Sequence, residues 1–270
     1  MNKPTPQVYE ALQHVYDTFN DRLFDGKLDN SLITLQRKAN SFGYMSFNRF
    51  ISIDDKNQFA HELALNPEFF GVKPLIELFQ TICHEMVHLY QMSYGKPSQK
   101  GYHNKEFAAM MKERGLMASS TGRPGGNDTG QHMADYPIPG GQFLEVSNDL
   151  FNEGIIVAWY DRFMPKNTSI HTMLEDQQIA TDLTQGISES LLVIPHLPTE
   201  IDLSGDLDSI PLGAPEPVIQ FVNRPLKPPK SKFKFTCPKC KNNLWGKESL
   251  NVICGDCSIS FELQINEYED

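Results

Sequence analysis

Apolar positions along the first half of the chain alternate between helical and strand spacing. Val8, Leu12, Val15, Phe19 and Leu23 recur every three or four residues, which predicts a helix over residues 8–23. Residues 32–35 and 43–47 read as strands, and residues 50–53 and 62–65 as further strand pieces. Helical period returns over residues 75–90, where Ile76, Phe79, Ile82, Cys83, Met86, Val87 and Tyr90 form one apolar stripe. Asn104 stands at a capping position before a helix over residues 105–114, with Phe107, Met110 and Met111 toward the core. Residues 155–160 predict one more strand. Helices packed on an antiparallel or mixed sheet give an α+β domain.

The helix over residues 75–90 carries His84-Glu85-Met86-Val87-His88. Positions four apart lie on one helix face, so His84 and His88 can present two imidazoles to one metal ion. They fall opposite the apolar stripe. Glu85 lies to the side of the pair, where a carboxylate can take a proton from water activated at the metal. A five-residue match with three fixed positions also arises by chance on ordinary amphipathic helices, so a third ligand decides the matter. Catalytic zinc usually has three protein ligands and one open position. Position 94, where one zinc-protease pattern places a third His, is Tyr94. The remaining candidates are His103 and Glu106, reached across a polar turn that contains Gly95 and Pro97. Cys83 belongs to the apolar stripe and reads as core filler.

Composition adds a second metal candidate. Cys237-Pro238-Lys239-Cys240 and Cys254-Gly255-Asp256-Cys257 are two CxxC knuckles thirteen residues apart, a spacing that signals structural zinc. Phe233 and Phe235 alternate before the first knuckle, and Ile259, Phe261 and Leu263 after the second, as short strands do. Residues 231–265 therefore read as a zinc ribbon whose stability comes largely from its metal. Residues 1–6 are polar, with no signal-peptide pattern. No run approaches the roughly 18 apolar residues of a membrane span. The expected setting is a reducing cytoplasm, nucleoid-associated or nuclear, with no membrane partner, where paired thiols bind metal rather than form disulfides.

Charge is unevenly spread. Residues 167–223 hold no Lys or Arg and nine acids: Glu175, Asp176, Asp182, Glu189, Glu200, Asp202, Asp206, Asp208 and Glu216. This stretch accounts for −9 of the formal net charge of −10. With its prolines it reads as a loosely structured acidic linker over residues 166–230. The sign then reverses: Arg224, Lys227, Lys230, Lys232, Lys234, Lys239, Lys241 and Lys247 occur without an acid among them. Lys230, Lys232, Lys234, Lys239 and Trp245 suit single-stranded nucleic acid, where cations meet phosphates and rings stack on bases. Residues 119–143 are rich in glycine and read as a wall of the cleft or a long surface loop. His132 within them reads as a surface histidine.

The HEMVH motif, a loop, then His103 with Phe107 four residues on, resembles the SprT-like metalloprotease domain of bacterial SprT proteins and eukaryotic Spartan-type proteases. The segments at residues 15–28, 32–38, 43–46 and 62–67 occur in family order, and the likeness spans residues 8–150 plus the terminal ribbon. The resemblance implies a zincin-like domain over residues 8–165 and favours His103 over Glu106. His84, His88 and His103 are then the catalytic zinc ligands and Glu85 the acid/base. Cys237, Cys240, Cys254 and Cys257 hold a second, structural zinc. It further implies a zinc-dependent endopeptidase whose substrates are proteins associated with or crosslinked to DNA. The alternatives are a nucleic-acid-binding adaptor with an inactive domain, or a zinc hydrolase with a non-protein substrate, since the motif defines activated water and not the substrate.

Overall fold

The computed structural model describes residues 3–39, 41–163, 165, 168–184, 187–195, 197 and 232–264. The chain divides into two units, Met1–Asn223 and Arg224–Asp270. The larger combines helices and strands and the smaller is a small sheet, so the chain is a mixed α/β protein.

The larger unit opens with helix α1 (Pro4–Phe24), whose buried residues include the predicted Val8, Leu12, Val15, Phe19 and Leu23. Pro4 sits in the first turn, where the missing N–H costs nothing. Three strands follow: β1 (Ser31–Leu35), β2 (Gly43–Ile51) and β3 (Phe59–Leu65). Their order is β1-β3-β2, with β1 parallel and β2 antiparallel to β3. The central strand buries Leu63, Ala64 and Leu65 almost completely. The two strand pieces expected at residues 43–47 and 50–53 are one strand, bent by a register shift between Ser46 and Phe50. Asn48 there takes a positive φ of 48° and its N–H donates to His61 Nδ1. Ile53 lies past the strand end and is 93% exposed.

Helix α2 (Leu75–Tyr94) is the centre of the domain. It is buried through most of its length, including Leu78, His84, Glu85 and Leu89 outside the predicted stripe. The face with His84 and Glu85 is largely covered as well, although it lines a cleft, as in a helix at the middle of a core. Phe19 of α1 meets Phe79 of α2 edge-on at 6.0 Å. Gly43 lets β2 come close to α2, because a Cβ there would meet Thr81 Cγ2 at 2.8 Å and the Ala64 carbonyl at 2.9 Å. Helix α3 (Lys105–Glu113) is capped as predicted: the Asn104 side chain accepts the Phe107 N–H at 2.9 Å. Strands β4 (Leu116–Ser119) and β5 (Ala134–Pro137) pair antiparallel, so the glycine-rich stretch is a wide hairpin rather than an unstructured loop. Helix α4 (Gln142–Asn152) packs behind α1.

Two expectations fail here. Residues 155–160 form no strand. They pair with no other strand among the described residues, and Val157 is buried while Ile156 and Trp159 are 53% and 46% exposed. Their β-branched residues satisfy a half-buried surface by packing instead. The acidic linker expected over residues 166–230 holds regular structure in its described part. Ser169 caps helix α5 (Ile170–Leu183), and a 3-10 turn follows at Glu189–Leu192. Met173, Leu191, Leu192, Ile194 and Leu197 are buried. Residues 198–231, including Lys230, lie outside the described residues. Among the described residues, no helix is long and apolar enough to cross a membrane.

The smaller unit is a three-stranded sheet of β6 (Phe233–Thr236), β7 (Asn243–Gly246) and β8 (Glu262–Gln264), in the order β7-β6-β8. Phe235 is buried at 4% exposure, whereas Lys234 on the next position faces out.

Candidate metal centre

The motif helix and the turn into α3 bring three imidazoles together. His84 and His88 are one turn apart on α2, and His103 enters from the chain just before α3. The Nε2 atoms of His84 and His103 are 3.1 Å apart, as are those of His88 and His103. These contacts cannot all be ordinary hydrogen bonds. Nδ1 of His84 faces Asp135 Oδ2 at 3.0 Å, and Nδ1 of His103 faces the Gly130 carbonyl at 3.2 Å. A carbonyl only accepts, and so does an ionised carboxylate, so both Nδ1 atoms carry the proton. Both Nε2 atoms then present lone pairs to each other. A cation between them removes the conflict. A tetrahedral zinc ion about 2.0–2.1 Å from each nitrogen sets ligand nitrogens roughly 3.3 Å apart, close to the spacing seen. The donor set thus fits zinc.

Burial keeps two of these rings, His88 and His103, neutral. His88 is pulled down to about 2, chiefly by burial, with His84 and His103 adding to it. His103 is pulled down to about 4 by burial, then by His84. For His84 burial also pulls down, but the Asp135 hydrogen bond and the Glu85 and Asp135 charges carry it upward. Phe107 backs all three rings, with centroids 5.1, 4.4 and 4.7 Å from His84, His88 and His103.

Glu85 is 8% exposed. Burial raises its carboxyl above the usual range, opposed by His84 and by a hydrogen bond from the Met45 backbone of β2. A raised carboxyl beside the imidazoles is suited to taking and returning a proton near neutral pH. The centre opens into a cleft of about 580 Å³ lined by Phe42, Tyr44, Met45 and Phe47 on one side and by Gln131, His132 and Met133 on the other. His132 is exposed at its rim and outside the imidazole cluster.

Glu106, the other candidate third ligand, points elsewhere. Its Oε2 accepts Gln91 Nε2 at 2.8 Å and the Lys96 N–H at 2.7 Å. It closes the turn between α2 and α3, and Gly95 permits this, since a Cβ there would meet Glu106 Oε2 at 2.8 Å. Tyr44 lines the cleft, but its hydroxyl donates to Gln36 Oε1, and the Tyr94 hydroxyl donates to the Lys27 carbonyl. Cys83 is fully buried and its thiol is pushed up by burial, as a core residue. Sequence reasoning missed Asp135 and Gly130, which hold His84 and His103 from behind, and Gln80, which holds Asp135.

A model of the SprT-like family matches residues 12–124, a span that contains His84, Glu85, His88 and His103. A curated relative from Salmonella typhimurium, named "Uncharacterized protein in mucB 3'region", is 51% identical over 51 residues, covering 19% of this chain and 69% of the relative. The chain belongs to the SprT-like family. No solved structure matches it.

The second metal candidate of this SprT-like protein lies outside the matched span. Sulfur atoms of Cys237, Cys240, Cys254 and Cys257 lie within 4.8 Å of one another. All are free thiols, and the 3.6 Å between Cys240 and Cys254 sulfurs is too long for a disulfide. Backbone N–H groups of Cys240 and Lys239 hold the Cys237 thiol down at about 7, toward the thiolate that binds metal. On the outer face Lys234 stands directly opposite Trp245, which is 62% exposed. Lys232 and Lys239 are also exposed.

Proposed function

We propose that this SprT-like protein is a zinc-dependent endopeptidase with Glu85 as its acid/base, acting on proteins bound or crosslinked to DNA. The observation that carries the reading is the convergence of three imidazole Nε2 atoms beside a buried carboxyl group in an open cleft. His84, His88 and His103 would hold the catalytic zinc, and Cys237, Cys240, Cys254 and Cys257 a structural one. When bound, the catalytic ion supplies Lewis-acid polarisation and acidifies water. Glu85 accepts the proton of the attacking water at its carboxylate, keeps it out of bulk solvent, and returns it to the leaving amine nitrogen. β2 is the terminal strand of its sheet and lines the cleft, so an extended peptide can add to its edge by backbone hydrogen bonds.

The choice of DNA-associated substrates is supported by family membership and by the ribbon's paired Lys234 and Trp245, a cation beside a stacking surface. The domain plan is a catalytic domain over residues 8–165 and a ribbon over residues 231–265 that delivers nucleic acid. Incubating the zinc-loaded chain with a DNA-bound protein tests the reading. Wild type should cleave it, faster with single-stranded DNA. Glu85→Gln should keep two zinc ions and lose turnover by about 10² or more. Wild-type rates in a zinc-bound Glu85→Gln chain would remove Glu85 from the mechanism, and no cleavage by wild type would favour the adaptor.

A further inference from the structure

The hairpin of β4 and β5 lies mostly beyond the span matched by the family model, which ends at residue 124. It nevertheless grips two of the three imidazoles. Asp135, on β5, reaches His84 Nδ1 with Oδ2 at 3.0 Å. Its other oxygen, Oδ1, accepts Gln80 Nε2 at 3.0 Å, and the same amide reaches the Asp135 carbonyl at 3.2 Å. Gln80 lies one helical turn before His84 on α2. The helix therefore holds one carboxylate with two of its own side chains. Earlier in the hairpin, Gly130 pairs with His103 through the backbone in both directions, at 2.8 and 3.1 Å, and its carbonyl also meets the ring.

The Asp135 side chain is 8% exposed, and its ion-pair partner is His84. A buried carboxylate is costly unless it is paired and hydrogen-bonded. His84 Nδ1 and Gln80 Nε2 supply those partners, one to each oxygen, so the carboxylate and the ring it faces are fixed in one orientation.

We propose that the segment from Gly130 to Asp135 is a retention clamp for the metal. Asp135, fixed by Gln80, is a positioning residue that sets the ring orientation and tautomer of His84, and Gly130 does the same for His103. How tightly the centre holds its ion then depends on this hairpin as well as on the three ligands. The inference rests on the metal-site part of the proposed function and not on the identity of the substrate.

Metal affinity in the full chain tests it. Zinc is titrated against a chromogenic chelator, and cobalt(II) replaces zinc so that the imidazole and thiolate centres are read separately by their absorption. Asp135→Ala should weaken the imidazole centre by about 10–100-fold and leave the thiolate centre unchanged. Asp135→Asn keeps an oxygen for His84 but loses the charge, and should fall between wild type and Asp135→Ala. Gln80→Ala should give a smaller loss in the same direction. Far-UV circular dichroism reports whether Asp135→Ala folds; if it does not, the other two variants carry the test. Affinities within about twofold of wild type in Asp135→Asn and Gln80→Ala, with folded Asp135→Ala equally unaffected, would overturn the clamp. A wild-type chain that binds metal at the imidazoles but cleaves nothing overturns the peptidase reading alone. A wild type that binds none there overturns both.

Discussion

Phe107 packs against every imidazole of the centre, and replacing it separates packing from metal binding. Its ring is 0% exposed, with its centroid 4.4–5.1 Å from the three histidine rings. Phe107→Ala removes a phenyl group from a filled core. At about 25–30 cal/mol per Å² and roughly 150 Å² of lost burial, the transfer contribution alone is about 4 kcal/mol, within the usual 3–5 kcal/mol for such truncations. Phe107→Leu keeps most of the volume and should cost about 1–1.5 kcal/mol. Urea unfolding followed by circular dichroism, with zinc and after chelation, measures the cost twice. The chelated protein reports packing. The zinc-loaded protein adds RT ln(1 + [Zn]/Kd), about 2.7 kcal/mol at a hundredfold excess over Kd, so the gap between the two shrinks if the imidazoles lose their backing. Phe107→Ala is expected to lose about 3–5 kcal/mol without zinc and still more with it. A loss below about 1 kcal/mol with an unchanged zinc increment would show that Phe107 neither fills this core nor supports the centre.

Three further outcomes are expected. His103→Ala should lower zinc content by one of two equivalents, whereas Glu106→Ala should keep both and lose about 1 kcal/mol from the turn it closes; metal analysis giving the reverse pattern would reassign the third ligand. In the full chain, Lys232→Glu, Lys234→Glu and Lys239→Glu combined with Trp245→Ala should cut single-stranded DNA affinity at least about tenfold and flatten its salt dependence, with ribbon zinc retained; equal affinity and slope would leave the ribbon as a structural or protein-contact module. Lys73 bridges Glu77 at 3.1 Å and Asp176 of α5 at 2.8 Å, so Lys73→Met should cost about 2–3 kcal/mol by stranding two partly buried acids. The pH sign follows from Glu77, whose carboxyl is already raised above 4.5 by burial and held back by Lys73. Without Lys73 it rises further, the folded state binds a proton the unfolded chain does not, and the deficit should shrink as pH falls from 7 toward about 4.5. A deficit that grows on acidification would refute this account.

Features set by neighbouring residues were readable before the fold was known. The helical spacing of α1, the two imidazoles four residues apart on α2, the Asn104 cap and the cysteine knuckles each depend on a few adjacent positions. Features set by distant partners were not. The sequence over residues 155–160 is as β-prone as any in the chain, yet no sheet edge meets it among the described residues. Residues 170–183 look like acidic linker because nothing local shows that Lys73 waits for Asp176 or that Met173 has a pocket. The choice between His103 and Glu106 could not be made from spacing, since both lie a plausible distance beyond His88. It turns on Gly95, whose missing side chain lets Glu106 fold back onto Lys96 and Gln91.

The same distinction explains why the motif reveals the ligands but not what makes them a centre. Two histidines four apart on a helix are compatible with an ordinary core. What sets these apart is the sum of charges around them. The cleft is lined by the acids Glu77, Glu85 and Asp135 and by no Lys or Arg among the described residues. Lys73 answers Glu77, which leaves Glu85 and Asp135 as two buried carboxyl groups facing three imidazoles. Burial keeps His88 and His103 neutral at physiological pH, so of the three rings only His84, raised by Asp135 and Glu85, can offset a carboxylate by taking a proton. A divalent cation balances both at once, and it is the group for which three converging lone pairs are a favourable arrangement. Asp135 comes from β5, far along the chain from His84, so half of that balance is invisible until the hairpin is folded over the helix.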